Sequence, residues 1–327
     1  MSTEAAKSPR ISVLVCTRNR PHAIGTCLRS ILASSLSPDD MELVVIDQST
    51  DDQTGAQVKP FAGDPRLRYI RTPTKGLARA RNIGIRAARS PLVLFTDDDV
   101  IAEPDWVELV LAEFDADPSI DAVYGRVLAY MQRDVAGKEG YHCPTLMESG
   151  ERYVVQGLTK STHEALGHGN NMAFRKRVFE QHGLYLEWLG AGTYMTGGED
   201  TDFTFRILKR GARMLYSPKP TVHHDNWMPI EKSNAQLYKY MFSASTVFSR
   251  FMFRGSVTAA QVQWRYLKQY WRDWRGSVKW KNWPAVAHHK KLVRGWFKGF
   301  LFGLGTVLRR APSPRNPSAC VAWYTPS

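Results

Sequence analysis

LVLFTDDDVIAEPDW, residues 92–106, runs a strand of buried character straight into Asp97, Asp98 and Asp99. Like charges ~4 Å apart repel by ~1 kcal/mol in bulk water and by ~4 kcal/mol at an effective dielectric of ~20. Neighbouring aspartates at a strand tip therefore cost stability unless something neutralises them. Helix capping accounts for one: a turn follows the strand, and Asp99 or Asp105 starts a helix near Pro104. One carboxylate is enough for a cap. A divalent cation at the carboxyl end of a strand, where open α/β sheets bind ligands, accounts for the group.

Working outward, the flanking sequence alternates strand and helix. ISVLVC (11–16) stops at the polar turn Thr17-Arg18-Asn19-Arg20-Pro21, and Ile24, Leu28, Ile31 and Leu32 then share one helical face. MELVVID (41–47) is a second strand, ending in Asp47, and LRYIRT (67–72) a third. Gly76 opens LARARNIGIRAARS, where Leu77, Ala80, Ile83, Gly84 and Ala87 have helical spacing. This alternation predicts an α/β fold with parallel pairing, right-handed crossovers and helices on both faces. Polar residues recur at the strand ends, at Thr17–Asn19, Asp47 and Asp97–Asp99, and so share one rim.

Farther along, AVYGRVLAY (122–130) reads as a strand, and LGHGNNMAFRKRVFEQHG (166–183) gathers Gly and Asn before a helix. In TGGEDTDFTFRILKRG (196–211) Glu199, Asp200 and Asp202 open a helix that Gly211 ends. Acids in a first turn gain ~0.3–1 kcal/mol each from the helix dipole, which explains one acid better than an adjacent pair behind Gly197-Gly198. MLYSPKPTVHHD (214–225) is a short strand, two prolines and the pair His223-His224.

Several classes are excluded. The turn CTRNRP after the first strand has no glycine, against a dinucleotide-binding domain, and no GxxxxGK[ST] phosphate loop occurs. Cys16, Cys27, Cys143 and Cys320 form no CxxC pair, so neither a zinc site nor a disulfide framework is expected and a reduced, cytosolic compartment fits. The N-terminus MSTEAAKSPR carries no apolar signal core. No run of ~18 apolar residues suggests a membrane span.

Taken in order, VLVCTRNRP, VVIDQSTDD, KGLARARNIG, FTDDDV, GHGNNMAFRK and GGEDTDFTFRILKRG, with PTVHH behind them, resemble family 2 glycosyltransferases. The resemblance covers roughly residues 10–225. It implies a GT-A fold: a Rossmann-like mixed, mainly parallel sheet flanked by helices. It further implies that Thr17, Arg18, Asn19, Asp47, Gly76, Arg81 and Asn82 hold a nucleotide-sugar, with Asp97 and Asp98 beside its ribose and diphosphate. Asp97 and Asp99 become the ends of a DxD motif binding Mn²⁺ or Mg²⁺. His224, ahead of His223, is the added ligand, and an imidazole suits manganese. Asp200 becomes the general base of an inverting transfer, its pKa raised by Glu199. The resemblance also places Asn170 and Asn171 near the acceptor or the donor sugar, with acceptor binding as their expected role. The acid-acid-Gly-Ser usual in the family after the second strand is here Ile46-Asp47-Gln48-Ser49, so one acid and the glycine are missing, which leaves uracil as the favoured but unassigned base. A non-catalytic sugar-nucleotide or glycan-binding relative is the first alternative, and a nucleotidyltransferase the second; the latter lacks its Gly-rich, Lys-bearing loop.

Near residue 235 the composition changes. Residues 233–310 hold fifteen Lys or Arg and a single acid, Asp273, a net +14 in a chain of +13. They also hold six of the ten tryptophans. Trp264, Leu267, Trp271, Trp274 and Val278 recur at steps of 3, 4, 3 and 4, and Arg265, Lys268, Arg272, Arg275 and Lys279 repeat them one residue later. On a helix this sets a basic stripe beside an apolar one. Gly295, Gly299 and Gly303 allow close helix contact, while Arg294 and Lys298 argue against a bilayer span. The expected organisation is a disordered 1–9, a catalytic domain over 10–232, an α-helical basic extension over 233–310 and a flexible tail over 311–327. The stripes suit an anionic membrane surface contacted through 264–310, at the inner face of the cell membrane, with a glycan or lipid-linked acceptor. Packing of the apolar stripe onto the catalytic domain is the competing reading. Nucleic acid is not expected, since no recognised module is present.

Overall fold

The computed structural model describes residues 8–159 and 167–309. The expected tail 311–327 and all but Ser8 and Pro9 of the expected N-terminal segment lie outside the described residues.

The apolar runs build the parallel half of one sheet. β1 (Ile11–Thr17), β2 (Met41–Asp47), β3 (Leu67–Arg71) and β4 (Leu92–Asp97) lie in the order β3-β2-β1-β4, each pair parallel. β1 and β2 are buried on both faces, which is why ISVLVCT and MELVVID show no polar alternation. α1 (Pro21–Leu32), α2 (Gln53–Val58) and α3 (Leu77–Ala87) make the crossovers. α3 packs so tightly that a Cβ at Gly84 would lie 2.8 Å from Leu14 Cδ1 and 2.9 Å from Ile46 Cδ1.

Past β4 the sheet is mixed. β5 (Val100–Ala102) follows the aspartates, and α4 (Trp106–Ala116) follows β5 with Asp105 at its N-cap making no side-chain cap bond. Capping therefore claims none of the three carboxylates. β9 (Met172–Arg175) inserts antiparallel between β4 and β6 (Ala122–Ala129), ahead of α5 (Arg177–His182). This strand is not expected from the sequence, where GHGNN leads directly into that helix. β10 (Arg213–His224) corrects the short strand expected before two prolines. Ser217 pairs with Gly125 and Thr221 with Arg126, so Pro218-Lys219-Pro220 leaves the ladder as a bulge and the strand resumes. β8 (Tyr153–Gln156) pairs with β10, and β7 (Tyr141–His142) with β11 (Met228–Pro229). The full order is β3-β2-β1-β4-β9-β6-β10-β5.

α6 (Glu199–Leu208) precedes β10, and α7 (Ile230–Met252), α8 (Val257–Lys279) and α9 (Trp283–Leu308) follow β11. The glycine stripe of α9 faces α7: a Cβ at Gly295 would lie 2.9 Å from the Tyr238 ring, and one at Gly303 2.6 Å from Ser249 Cβ. Ser245 Oγ donates to Trp296 O at 2.8 Å and Thr246 Oγ1 to Gly299 O at 3.2 Å. α7 also packs inward, Val247 against Leu186, Trp188, Leu189 and Met195, and Phe248 against Phe205 of α6. Among the described residues no helix is long and apolar enough to cross a membrane.

Candidate active site

Asp97 closes β4, and Asp98 and Asp99 form the turn into β5. Thr17 at the end of β1 donates to Asp98 Oδ2 at 2.6 Å, and Arg20 Nε lies 3.2 Å from its Oδ1. Arg20 Nη2 reaches Asp99 Oδ2 at 2.6 Å. Pairing of His224 with Val100 brings the end of β10 alongside, with His224 Nε2 3.3 Å from Asp99 Oδ1. The other ring nitrogen, Nδ1, lies 3.0 Å from Pro144 O and 3.2 Å from Thr145 Oγ1, an anchor that aims Nε2 at the carboxylates. Strand alternation sends His223 the other way, to Glu103 Oε1 at 2.6 Å.

One ligand atom each from Asp97, Asp99 and His224 lie within 4.8 Å of one another. Two carboxylates and an oriented imidazole fit a hard or borderline divalent cation. Burial, and behind it the charge of Asp99, raises Asp97, and burial pushes Asp98 up to about 7. Burial also opposes the charged form of Asp99, but the bond and charge of His224 and Arg20 outweigh it and hold Asp99 low. Protein cations thus compensate Asp99 and leave Asp97 strained, which a bound cation would relieve.

The second acidic group enters from α6. Gly198, at φ +90°, turns the chain so that Glu199 is buried while the Asp200 side chain keeps 28% of its surface exposed. Arg81, buried on α3, joins the two groups. Its guanidinium pairs with Asp200, lies 3.2 Å from Glu199 Oε1 and 3.9 Å from Asp97 Oδ1, and donates to Gly169 O at 3.3 Å. A Cβ at Gly169 would collide with both Arg81 and Asp200, which accounts for a glycine in GHGNN. The like charge expected to act on Asp200 meets this cation. Burial, and behind it the charge of Asp200, pushes Glu199 itself up to about 7.

These groups share a cleft of about 550 Å³. Thr17, Arg18, Gly76, Arg81, Asp97, Asp98, Asp99, Asn170, Glu199, Asp200 and His224 line it. Asn170 Oδ1 is buried there with no hydrogen-bond partner among the described residues. Asn19, Asp47, Asn82 and Asn171 are not among the described residues that line it. Asp47, expected at the base, accepts from Ser49 N at 2.7 Å and Tyr69 Oη at 2.6 Å, fixing the turn that carries Gln48 into the cleft. Asn19 accepts from Thr50 N at 2.9 Å, tying the same turn to β1. Asn82 bridges to Tyr185 O at 2.9 Å and Glu187 Oε1 at 3.1 Å. Asn171, expected beside the acceptor, instead donates to Arg126 O at 2.9 Å and Pro220 O at 3.0 Å, carbonyls at the β10 bulge. The sequence reading missed Arg20, Thr145, His168, Asn226 and, from α7, Tyr240, Met241 and Ala244. Those α7 residues lie beyond the composition boundary, so nothing local marked them.

The family model described as Glycosyl transferase family 2 matches residues 12–183. Putative glycosyltransferase EpsH of Bacillus subtilis is 25% identical over 219 residues, 67% of this chain and 61% of that protein. Validoxylamine A glucosyltransferase of Streptomyces hygroscopicus is 32% identical over 128 residues, 38% of this chain and 28% of that protein. The chain thus spans less than two thirds of the length of either relative. Among solved structures, the mannosyltransferase PcManGT of Pyrobaculum calidifontis, in complex with GDP-Man and Mn²⁺, superposes with a TM-score of 0.60 at 19% identity, over 93% of this chain and 88% of that one. S. aureus TarS 1–349 in complex with UDP-GlcNAc superposes at 0.56 and 18% identity, over 73% and 66%. The shared architecture is the GT-A fold.

Proposed function

The chain belongs to glycosyl transferase family 2, and we propose that it is a metal-dependent, inverting glycosyltransferase. In this reading it moves a sugar from a nucleotide-sugar to a glycan or lipid-linked acceptor at the inner face of the cell membrane. One observation carries it: a divalent-cation donor set, Asp97, Asp99 and His224, shares a cleft with the part-exposed carboxylate of Asp200.

Thr17, Arg18, Gly76 and Gln48 bind the nucleoside end, with Asp47 and Asn19 holding their turns. Asp98 fixes the aspartate turn to β1. Asp97, Asp99 and His224 hold Mn²⁺ or Mg²⁺, which when bound offsets the charge of the leaving diphosphate. Asn170 Oδ1 accepts from a sugar hydroxyl. Asp200 takes the proton from the acceptor hydroxyl as its oxygen bonds to the anomeric carbon. The bond from that carbon to phosphate breaks on the opposite face, its electron pair leaves with the nucleoside diphosphate, and the configuration inverts. Arg81 pairs with Asp200 and aims its carboxylate. TarS and PcManGT bind different nucleotide-sugars, and Gln48 departs from the family glycine, so UDP is the first nucleotide to test and GDP the second.

Calorimetric titration of UDP, then GDP, with Mn²⁺ and again with EDTA tests the donor site. Metal-dependent binding of one is expected; silence from both would favour the non-catalytic alternative.

The helical extension supports the membrane part. On α8 the buried residues are Ala259, Val262, Gln263 and Tyr270, a different face from the tryptophan stripe. Trp264 and Trp271 stay 57% and 58% exposed, and Trp280 and Trp283 are exposed as well. Lys268 stands over the Trp264 ring at 5.3 Å and Lys279 over Trp280 at 5.7 Å. Exposed aromatics interleaved with cations match an interfacial helix on anionic lipid. Flotation with vesicles should depend on the anionic lipid fraction; equal recovery on neutral vesicles would remove this part.

A further inference from the structure

A second cavity, of about 410 Å³, also opens on Asp200. It shares Asp200, Thr201, His168 and Ala244 with the main cleft but none of the metal-ligand residues. Its walls are aliphatic and aromatic: Leu146, Met147 and Leu158 from the segment around β8, Phe205 from α6, Phe248 from α7 and Tyr266 from α8. Of its polar groups, Thr204 is engaged with Tyr124 Oη at 2.8 Å.

An acceptor must place its hydroxyl at Asp200 while the donor fills the cleft on the metal side. Among the described residues this cavity offers the rest of the acceptor a way out from Asp200 that avoids the metal side. A hydroxyl-rich sugar chain would lose water there and find few partners on these walls. An alkyl or aryl group would gain from burial. We infer that this cavity receives an apolar group attached to the hydroxyl-bearing unit of the acceptor. The acceptor class is then a sugar or polyol joined directly to an alkyl or aryl chain. The inference rests on the reading of Asp200 as base and selects among the acceptors left open above. Tyr266 lies two residues beyond Trp264 on α8, so one helix contributes to the cavity and to the exposed tryptophan face.

The test compares n-octyl β-D-glucoside, below its micellar concentration, with methyl β-D-glucoside by calorimetry on the full chain, with and without UDP and Mn²⁺. A buried methylene is worth about fourfold in affinity, so burial of even two or three of the octyl chain's methylenes gives an expected preference on the order of 30-fold. Leu158→Trp and Leu146→Trp fill the cavity from two positions and should each reduce that preference at least about tenfold. Both should leave Mn²⁺-nucleotide binding unchanged, which also shows that they fold. Trp264→Ser with Trp271→Ser should keep the preference. Equal binding of the two glucosides, or a preference that survives both filling variants or vanishes with the tryptophans, overturns the inference. Nucleotide binding without the alkyl preference sinks the cavity assignment alone. An alkyl preference that depends on Leu158, without nucleotide binding, sinks the donor reading and leaves the cavity standing.

Discussion

At the sheet rim the Arg81 side chain is 3% exposed and touches Asp97, Glu199 and Asp200; on α8 the Arg272 side chain is 78% exposed next to Trp271. Both regions are rich in charge, and they use it differently. The rim buries opposite charges against one another, so each carboxylate depends on a named partner and the site recognises by geometry. The α8 face keeps its cations in water beside exposed rings, so it recognises by area and sign. α7 links the two, placing Tyr240 in the cleft while packing against α9 through the glycine stripe. Substitutions at the rim should therefore be costly and specific, and those on α8 cheap for folding.

The largest expected effect is at the base. Asp200→Asn should lower kcat by about 10²–10⁴-fold, the usual worth of general base catalysis, while the Kd for Mn²⁺-nucleotide stays within about twofold. Normal turnover would move the base elsewhere. Arg81→Met comes next. It leaves Glu199 and Asp200 without their cation, and breaking a buried pair costs about 3–5 kcal/mol. Denaturant unfolding reads this directly, and an unchanged midpoint would mean that the rim is not held by paired charge.

Glu199 sharpens the comparison through pH. Its pKa stands at about 7 in the folded chain against an ordinary 4.5. A folded-state pKa above the unfolded one gives stability that is complete below pH ~4.5 and lost as pH rises through ~7. Glu199→Gln carries no such titration. Its stability relative to the parent should therefore rise between pH 5 and pH 8, by up to roughly 3 kcal/mol. A pH-independent difference would show that Arg81 fully compensates the carboxylate.

The strands of the parallel half were legible because each is an apolar run that ends in polar residues at the rim. The family motifs named both acidic groups for the same reason: Asp97–Asp99 and Glu199-Asp200 are local in sequence. Long-range properties were not legible. Arg81 is one of several arginines in LARARNIGIRAARS, and its spacing does not reveal that it meets α6. Asn171 looks like its neighbour Asn170, yet the bulge at Pro218-Lys219-Pro220 claims one and leaves the other in the cleft. β9 is four residues long behind a Gly and Asn cluster, too short for a periodic signal. Tyr240 was assigned to the basic extension by composition, although its place in the cleft is set by the packing of α7 on the residues around Trp188 and Met195.

The smallest effect on folding, and the one that separates the regions most sharply, belongs to α8. Trp264→Ser with Trp271→Ser, and separately Lys268→Glu with Arg272→Glu, change side chains that are exposed or stand over exposed rings. Surface substitutions of this kind usually stay within about 0.5 kcal/mol. A cation near an anionic surface contributes about 1 kcal/mol, so reversing two should lower partition onto anionic vesicles well beyond tenfold. Removing two ring systems should lower it about tenfold or more, with weaker dependence on salt than the charge reversals show. If the tryptophan pair instead destabilises the chain by several kcal/mol, the stripe is packing surface and the contrast between the regions fails. If folding and vesicle partition both stay as in the parent, α8 is a solvated face, and the acceptor must reach Asp200 without help from a membrane.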